Sequence, residues 1–368
     1  MLFMPDKLGS YSQDDVIFLL RDISEVKLEK ATEEREMSIQ SGKMHYSEML
    51  PQEYQPSEDY MTLYTNILKQ NAEKVAYYVA VVAEKIVAYR GINQLVLVSL
   101  ARGGTPIGIL LKRYIQTYYG VDIPHYSVSI IRGRGIDETA LQYMLQQHPH
   151  AKIQFVDGWT GKGSITKELD QAITSWNQRN LPKLDAYLAV LADPGRCAHF
   201  YGTKEDFLIP SACLNSTVSG LISRTVLNEA FMETGDFHGA KYYRELEKYD
   251  VSKAFIETIV AHYSETLVEQ AKQAFVQEPI IAIPDWQGSQ YIQDIQRQFN
   301  ITNSHHIKPG VGETTRVLLR RVPWKILVNP NAQENLSHIY LLAKQRGVEI
   351  ETYTDIPYAC CGLIKELV

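Results

Sequence analysis

The sequence predicts an α/β protein built on a parallel sheet, and three observations carry that reading. Between residues 95 and 193, short aliphatic runs alternate with amphipathic segments of about ten to fifteen residues, the pattern of βαβ units. Two of those runs end in glycine-rich loops, Ala101-Arg102-Gly103-Gly104-Thr105-Pro106 and Asp157-Gly158-Trp159-Thr160-Gly161-Lys162-Gly163-Ser164. After Pro279–Pro284 the alternation begins again, so a second and smaller α/β unit follows.

Residues 1–90 are expected to form a mostly helical N-terminal region. Thr62 to Tyr89 sets Leu63, Ile67, Val75, Val79, Val82 and Ile86 at helical spacing, after a loop marked by Pro51 and Pro56. Residues 91–275 are expected to be the core. Its strands are Leu95–Leu100, Tyr126–Ile131, Ile153–Asp157 and Ala186–Leu191. Its helices are Thr105–Tyr118, Glu138–Gln147 and Ser164–Trp176, and one from Ser252 to about Phe275 closes it. A polar insertion over 193–250, rich in Ser, Thr and Asn, interrupts the rhythm. Residues 280–368 read as helix 288–298, helix Thr314–Arg321, strand Lys325–Val328, helix Asn335–Arg346 and strand Val348–Tyr353. Cys360-Cys361 reads as strand or packing.

A formal net charge of −6 argues against nonspecific coating of nucleic acid and leaves room for a local basic site. There is no apolar run long enough to span a bilayer and no signal-peptide pattern at the start, so no membrane partner is expected. Four cysteines without a CxxC pair suit a reduced, cytoplasmic protein. No residue is assigned as a protein-held metal ligand, and homo-oligomer formation is left open.

The two loops have a chemical logic. Ligands of parallel α/β sheets bind beyond the carboxyl ends of the strands, where glycine lets backbone N–H groups close on phosphate and the next helix offers its positive end. Two such loops suggest a ligand with phosphates at both ends. Ala101 to Gly104 resembles the pyrophosphate loop of type I phosphoribosyltransferases, the orotate enzymes especially, and residues 153–166 resemble their strand-acid-phosphate signature. Ile130-Ile131-Arg132-Gly133-Arg134-Gly135 stands where that family has a mobile basic loop. The resemblance implies a type I phosphoribosyltransferase sheet and a phosphoribosyl diphosphate ligand with Mg²⁺. In that scheme Arg102, Arg132 and Arg134 neutralise the leaving diphosphate, and Asp157 accepts ribose hydroxyls. Gly103, Gly104, Thr105, Gly158, Thr160, Gly161, Lys162, Gly163 and Ser164 would hold the phosphates. His45, Ser216, Ser219, Arg224 and His238 are candidates for an acceptor pocket.

Three departures weigh on that reading. The family's second acid is Gly158 here, Lys162 stands where a threonine is expected, and Ile165 replaces the last threonine. Lys162 is followed by Gly163, which excludes a Walker A loop. The plainest alternative is that the glycines only turn strands into helices.

Over its whole length the chain resembles a bacterial family of phosphoribosyltransferase-like proteins encoded beside tellurium- and stress-resistance genes. Leu97–Pro106, Ile130–Asp137, Val156–Ser164, Leu214–Leu221 and Asp236–Ala240 carry the resemblance. It implies synthesis of a nucleoside-like metabolite, with a catalytically silent nucleotide- or RNA-binding regulator as the alternative. It also implies a Pelota-like α/β/α tail that contacts structured RNA through Gly312, Glu313, Arg316 and Arg320. Locally, Lys308, Arg316, Arg320, Arg321 and Lys325 make a basic patch, for which a solvated helix face is the plain explanation. The same family carries a cysteine-protease label, StiP. Cys197 with His199, or Cys213 with His238, is therefore weighed as an alternative nucleophile pair, although buried free cysteine is the commoner state.

Overall fold

Residues 4–53, 55–180, 182–276, 279–332, 334 and 336–367 are described by a computed structural model of the chain. The first part runs β1 (Ile17–Phe18), β2 (Arg21–Asp22), β3 (Glu29–Lys30), α1 (Thr32–Gln40), β4 (Leu50–Pro51) and α2 (Glu58–Arg90). Next come β5 (Leu95–Ala101), α3 (Thr105–Tyr119), β6 (His125–Ile131), β7 (Gly135–Ile136), α4 (Glu138–Gln147), β8 (Lys152–Val156), α5 (Ser164–Arg179), β9 (Leu188–Ala192) and β10 (Phe200–Thr203). After β11 (Gly239–Ala240) and the helices α6 (Ser252–Val260) and α7 (Glu265–Val276) comes the tail. It contains α8 (Gln287–Gln298), β12 (Ile307–Pro309), α9 (Val311–Arg320), β13 (Pro323–Val328), α10 (Ser337–Arg346), β14 (Glu349–Thr352) and β15 (Cys360–Ile364).

The main sheet has the order β1-β6-β5-β8-β9-β10, every neighbouring pair parallel, with β7 folded back antiparallel on β6. Both faces are covered, as parallel sheets require. Along β5, Leu95 and Leu97 join the cluster under α2 and α3, while Val96, Val98 and Leu100 join the one under α4 and α5. The chain turns from β5 to β6 on one side and later to β8 on the other, so β5 and β8 flank the topological switch point. That is the crevice where such sheets bind ligands.

The N-terminal expectation needs correction. Among the described residues before Glu58, only Thr32–Gln40 is α-helical. The apolar run Val16–Leu20 lies against the sheet instead, with Ile17 and Phe18 in parallel register with Tyr126 and Ser127. The helix expected from Ser252 to Phe275 is two helices. Ser264 interrupts it by accepting the Leu267 N–H, and Tyr263 reaches sideways to donate to the Leu110 carbonyl. The expected helix start at Asn335 lies outside the described residues.

The tail sheet is mixed, in the order β12-β15-β13-β14, with only β13 and β14 parallel. Its helix α9 begins three residues before the expected Thr314. Gly310, at φ +93°, turns the chain, and the Val311 N–H meets the Asp206 carboxylate at 3.0 and 3.1 Å. The Ala359 N–H donates to the same carboxylate at 2.8 Å. Val311, Leu318, Ile326 and Ile339 belong to the same buried cluster as α2 and α3, so the tail packs into the main core.

Candidate functional site

Beyond the carboxyl ends of β5 and β8 opens a cavity of about 870 Å³, bounded on one side by both glycine-rich loops and on the other by α9. Gly103 and Gly161 both line it, so the two loops open on one edge of the sheet as the sequence suggested. At the second loop, Gly163 has φ +80°, and a β-carbon there would stand 2.5 Å from the Trp286 ring. Only glycine fits, and it delivers the start of α5, with its unpaired N–H groups, to the cavity. The Thr160 hydroxyl is already committed: it donates to Asp193 Oδ1 at 2.6 Å and accepts from the Gly195 N–H at 3.2 Å.

The tail supplies the opposite wall. Arg316 lies over the Trp159 ring at 4.3 Å and pairs with Glu313 at 2.9 Å. A β-carbon on Gly103 would lie 3.0 Å from the Arg316 guanidinium and 3.4 Å from Asp157 Oδ1. Gly312 packs flat on Trp159, where a β-carbon would be 2.5 Å from the indole. The Lys162 ammonium donates to the Ser304 carbonyl, and Arg132 Nη1 sits 3.1 Å from His305 Nδ1. The basic helix that reads as a solvent-facing RNA surface is thus turned inward at Arg316 and Arg320. Arg321 pairs with buried Glu36 at 2.5 Å, and Lys325 pairs with Glu351 and Glu349 on the outer strand. The physical reason lies in the partners: Glu313 and the Trp159 ring hold Arg316, Asn215 Oδ1 holds Arg320, and buried Glu36 holds Arg321.

Among the described residues, ten Lys and Arg side chains and three carboxylates line the cavity, in a chain of net charge −6. Burial raises Asp157 to about 6, against the pull of the Gly158 N–H and of Arg316. Burial and then Arg132 bring Lys162 down to about 8. Burial pushes Glu313 up, but Arg316, Lys308 and Arg320 outweigh it and hold the carboxyl down at about 2. The charge of this lining suits an anion, and one carboxylate, Asp157, is kept near neutrality.

Arg102, Arg132, Asp157, Lys162, Ser164, Arg224 and His45 all line the cavity with Gly103, Thr160, Gly161 and Gly163. Other candidates do not. Arg134 pairs with Glu48 at 2.5 Å outside it. Gly104, Thr105 and Gly158 build the turns: a β-carbon on Gly104 would be 2.4 Å from the Val156 carbonyl, and the buried Thr105 hydroxyl meets Ser127 at 2.7 Å. Of the acceptor-pocket candidates, Ser216 bonds Glu53, Ser219 bonds the Asn215 carbonyl, and His238 meets Ser129 inside the core. Sequence reasoning missed Arg35, Trp159 and His305. An aromatic residue inside a glycine-rich loop was the visible signal for Trp159.

All four cysteines are buried. Burial pushes the Cys197 and Cys213 thiols up to about 12. Cys197 faces Thr166 and Asp193, while His199 stacks on Tyr187 with ring centroids 4.3 Å apart and His238 is held by Ser129. Neither proposed thiol–histidine pair is assembled. For magnesium, which takes one or two carboxylates beside substrate phosphates, the donor set is thin. Glu313 is paired with Arg316, Glu168 accepts the Gly133 and Gly135 N–H groups, and no metal-holding group of three is found among the described residues. These residues do not fit a resident Mg²⁺. Among them, no helix is long and apolar enough to cross a membrane.

Residues 9–260 match the family model described as tellurite-like stress resistance cysteine protease StiP, and residues 286–366 match the one described as PELOTA RNA binding domain. A protein named Cysteine protease StiP, from Acinetobacter baylyi, is 35% identical over 373 residues, covering 98% of this chain and 94% of its own length. Hypoxanthine phosphoribosyltransferase from Trypanosoma cruzi, in complex with the product IMP, aligns at TM-score 0.26 and 13% identity over 50% of this chain and 93% of that one. A hypothetical protein from Neisseria gonorrhoeae with bound ppGpp aligns at TM-score 0.24 and 16% identity over 36% and 80%. At such scores these two likenesses carry no argument, and the fold rests on the strand order and the covered parallel sheet.

Proposed function

We propose, from the premise that this chain belongs to the StiP family, that it binds a phosphoribosyl diphosphate between its sheet and its tail and transfers the ribosyl phosphate to an acceptor. The observation that carries this is the convergence of both glycine-rich loops, Asp157 and Arg316 on one cation-rich cavity. In the transfer the bond from ribosyl C1 to the diphosphate oxygen breaks and diphosphate leaves with the electron pair. An acceptor nitrogen or oxygen supplies the pair for the new bond and gives up its proton to water. The leaving anion is stabilised by Arg132 and Arg316, which are fixed before reaction. Asp157 orients the ribose hydroxyls, and the start of α5 holds the 5′-phosphate. Magnesium is assigned to the ligand's own phosphates and not to a protein site. The product class is a nucleoside-like metabolite.

The test is calorimetric titration of phosphoribosyl diphosphate as a function of pH. Affinity should peak between limbs at about 6 and about 8. Below the lower limb Asp157 is protonated and stops accepting from ribose; above the upper one Lys162 loses its charge. Asp157→Asn should remove the acid limb and Lys162→Ala the alkaline one. The absence of heat at millimolar ligand would sink the reading. Binding without turnover at any acceptor would leave the silent regulator, which Gly158 in place of an acid favours. The match of the tail to an RNA-binding domain supports structured RNA as a second partner.

A peptidase reading is favoured by the names of the family and of the Acinetobacter baylyi relative. The buried, raised thiols speak against it, because a catalytic thiolate needs a lowered pKa and a histidine within reach. Cys197→Ser and Cys213→Ser are expected to leave ligand affinity within about threefold, since neither residue lines the cavity. Peptidase activity in the wild type that vanishes in either variant, with ligand binding intact, would reverse the assignment.

A further inference from the structure

The cavity has more positive charge than one phosphoribosyl diphosphate explains, and the surplus is concentrated at one place. Arg102, Arg224 and Arg320 come from the β5–α3 turn, the polar insertion and the tail, and all three line the same cavity. Neighbouring guanidiniums weigh on two of the three, Arg224 and Arg320. Burial and then Arg35 bring Arg224 down to about 9, with Arg321 and Arg102 adding to it. Burial, then Arg316 and Arg102, lower Arg320 as well.

Local carboxylates do not balance this cluster. Glu53 pairs with Arg102 at 3.2 Å and also takes the Ser216 hydroxyl at 3.0 Å, and Glu36 is committed to Arg321. Arg224 and Arg320 have no ion-pair partner among the described residues. The first donates to the Tyr46 and Met49 carbonyls, the second to Asn215 Oδ1 at 3.3 Å. Arg102 is only 9% exposed, yet its Nη2 has no hydrogen-bond partner among the described residues, and neither has Arg224 Nε. Guanidinium charge held this deep without a carboxylate partner is costly, and an anion in the cavity that these side chains line would offset the cost. The ring of Tyr46 lies 5.0 Å from both the Arg132 and Arg224 guanidiniums, giving the same corner a flat wall.

We infer that the arginine corner formed by Arg102, Arg224 and Arg320 binds an anionic group, carboxylate or phosphate, of the second substrate, so that the acceptor is itself an acid. This rests on the proposed transfer for the role of that molecule as acceptor, while the anion site itself stands on the geometry alone. Guanidinium forks suit either group in bidentate fashion. Because Arg320 belongs to α9, the tail takes part in choosing the acceptor.

The test uses the full-length protein and two probes in separate titrations, malonate for the carboxylate and phenylphosphonate for the phosphate. At least one should bind with a millimolar Kd, and the stronger one identifies the class. Arg224→Gln and Arg320→Gln should each weaken that probe tenfold or more, whereas Arg297→Gln, exposed on α8 and outside the cavity, should leave it within about threefold. Thermal midpoints verify folding, and Arg224→Gln carries the test alone if the α9 variant unfolds. Binding of neither probe, or binding unchanged in both arginine variants, would overturn the inference. A protein that fails to bind phosphoribosyl diphosphate but keeps an Arg224-dependent anion site would sink the transfer reading and leave this one standing.

Discussion

Arg316→Ala is expected to weaken phosphoribosyl diphosphate binding about a hundredfold in a protein that still folds. Truncating one member of a hydrogen-bonded charge pair typically costs about 2–5 kcal/mol of binding, and here two effects add. The guanidinium over Trp159 and beside Gly103 is lost as a contact for the diphosphate. Glu313, which Arg316 pairs at 2.9 Å, is left facing an anionic ligand. Arg316→Lys keeps the charge but not the planar stack, and should fall between the two. An affinity within threefold of wild type in the alanine variant would mean that the tail forms a wall of the cavity without contributing to binding.

The second large effect falls on stability. Asp206→Ala is expected to destabilise the protein by about 2–5 kcal/mol, because two backbone N–H groups lose their acceptor. These belong to Val311, the first residue of α9, and to Ala359. Binding should fall as well, since α9 carries Arg316 and Arg320. Burial raises the Asp206 carboxyl to about 7 in spite of those amides. The folded protein therefore holds this proton more tightly than the unfolded chain, whose ordinary value is about 4. Its contribution is full below about pH 4 and declines as pH rises through about 7. In denaturant unfolding, Asp206→Asn should lose less stability than wild type across that window. An alanine variant as stable as wild type would show that the tail is not pinned at this point.

What the sequence makes legible is local. Alternating strands and helices and the glycines at the ends of β5 and β8 follow from short-range patterning, and so do Asp157, Gly103 and Gly161 as cavity residues. The docking of the tail is not legible, because its determinants are distant pairs. Asp206 and Val311 are 105 residues apart, and Glu36 and Arg321 are 285 apart. Helical spacing correctly sets Arg316 and Arg320 on one face. It carries no information on whether that face meets water or the far wall of a cavity. The polar insertion misled in a similar way. Ser216, Ser219 and His238 read as cavity lining, yet each hydroxyl or ring is spent on internal bonds to Glu53, Asn215 and Ser129. Arg224 and Thr225, from the same stretch, do reach the cavity.

In the proposed transfer one ligand is held jointly by the sheet loops and by the tail. Amide hydrogen exchange of the full-length protein, with and without saturating phosphoribosyl diphosphate, reads that joint hold. Protection is expected together in three peptides, those spanning 101–105, 157–166 and 310–320. Protection confined to the two loop peptides, with α9 exchanging as before, or no protection at all, would contradict it.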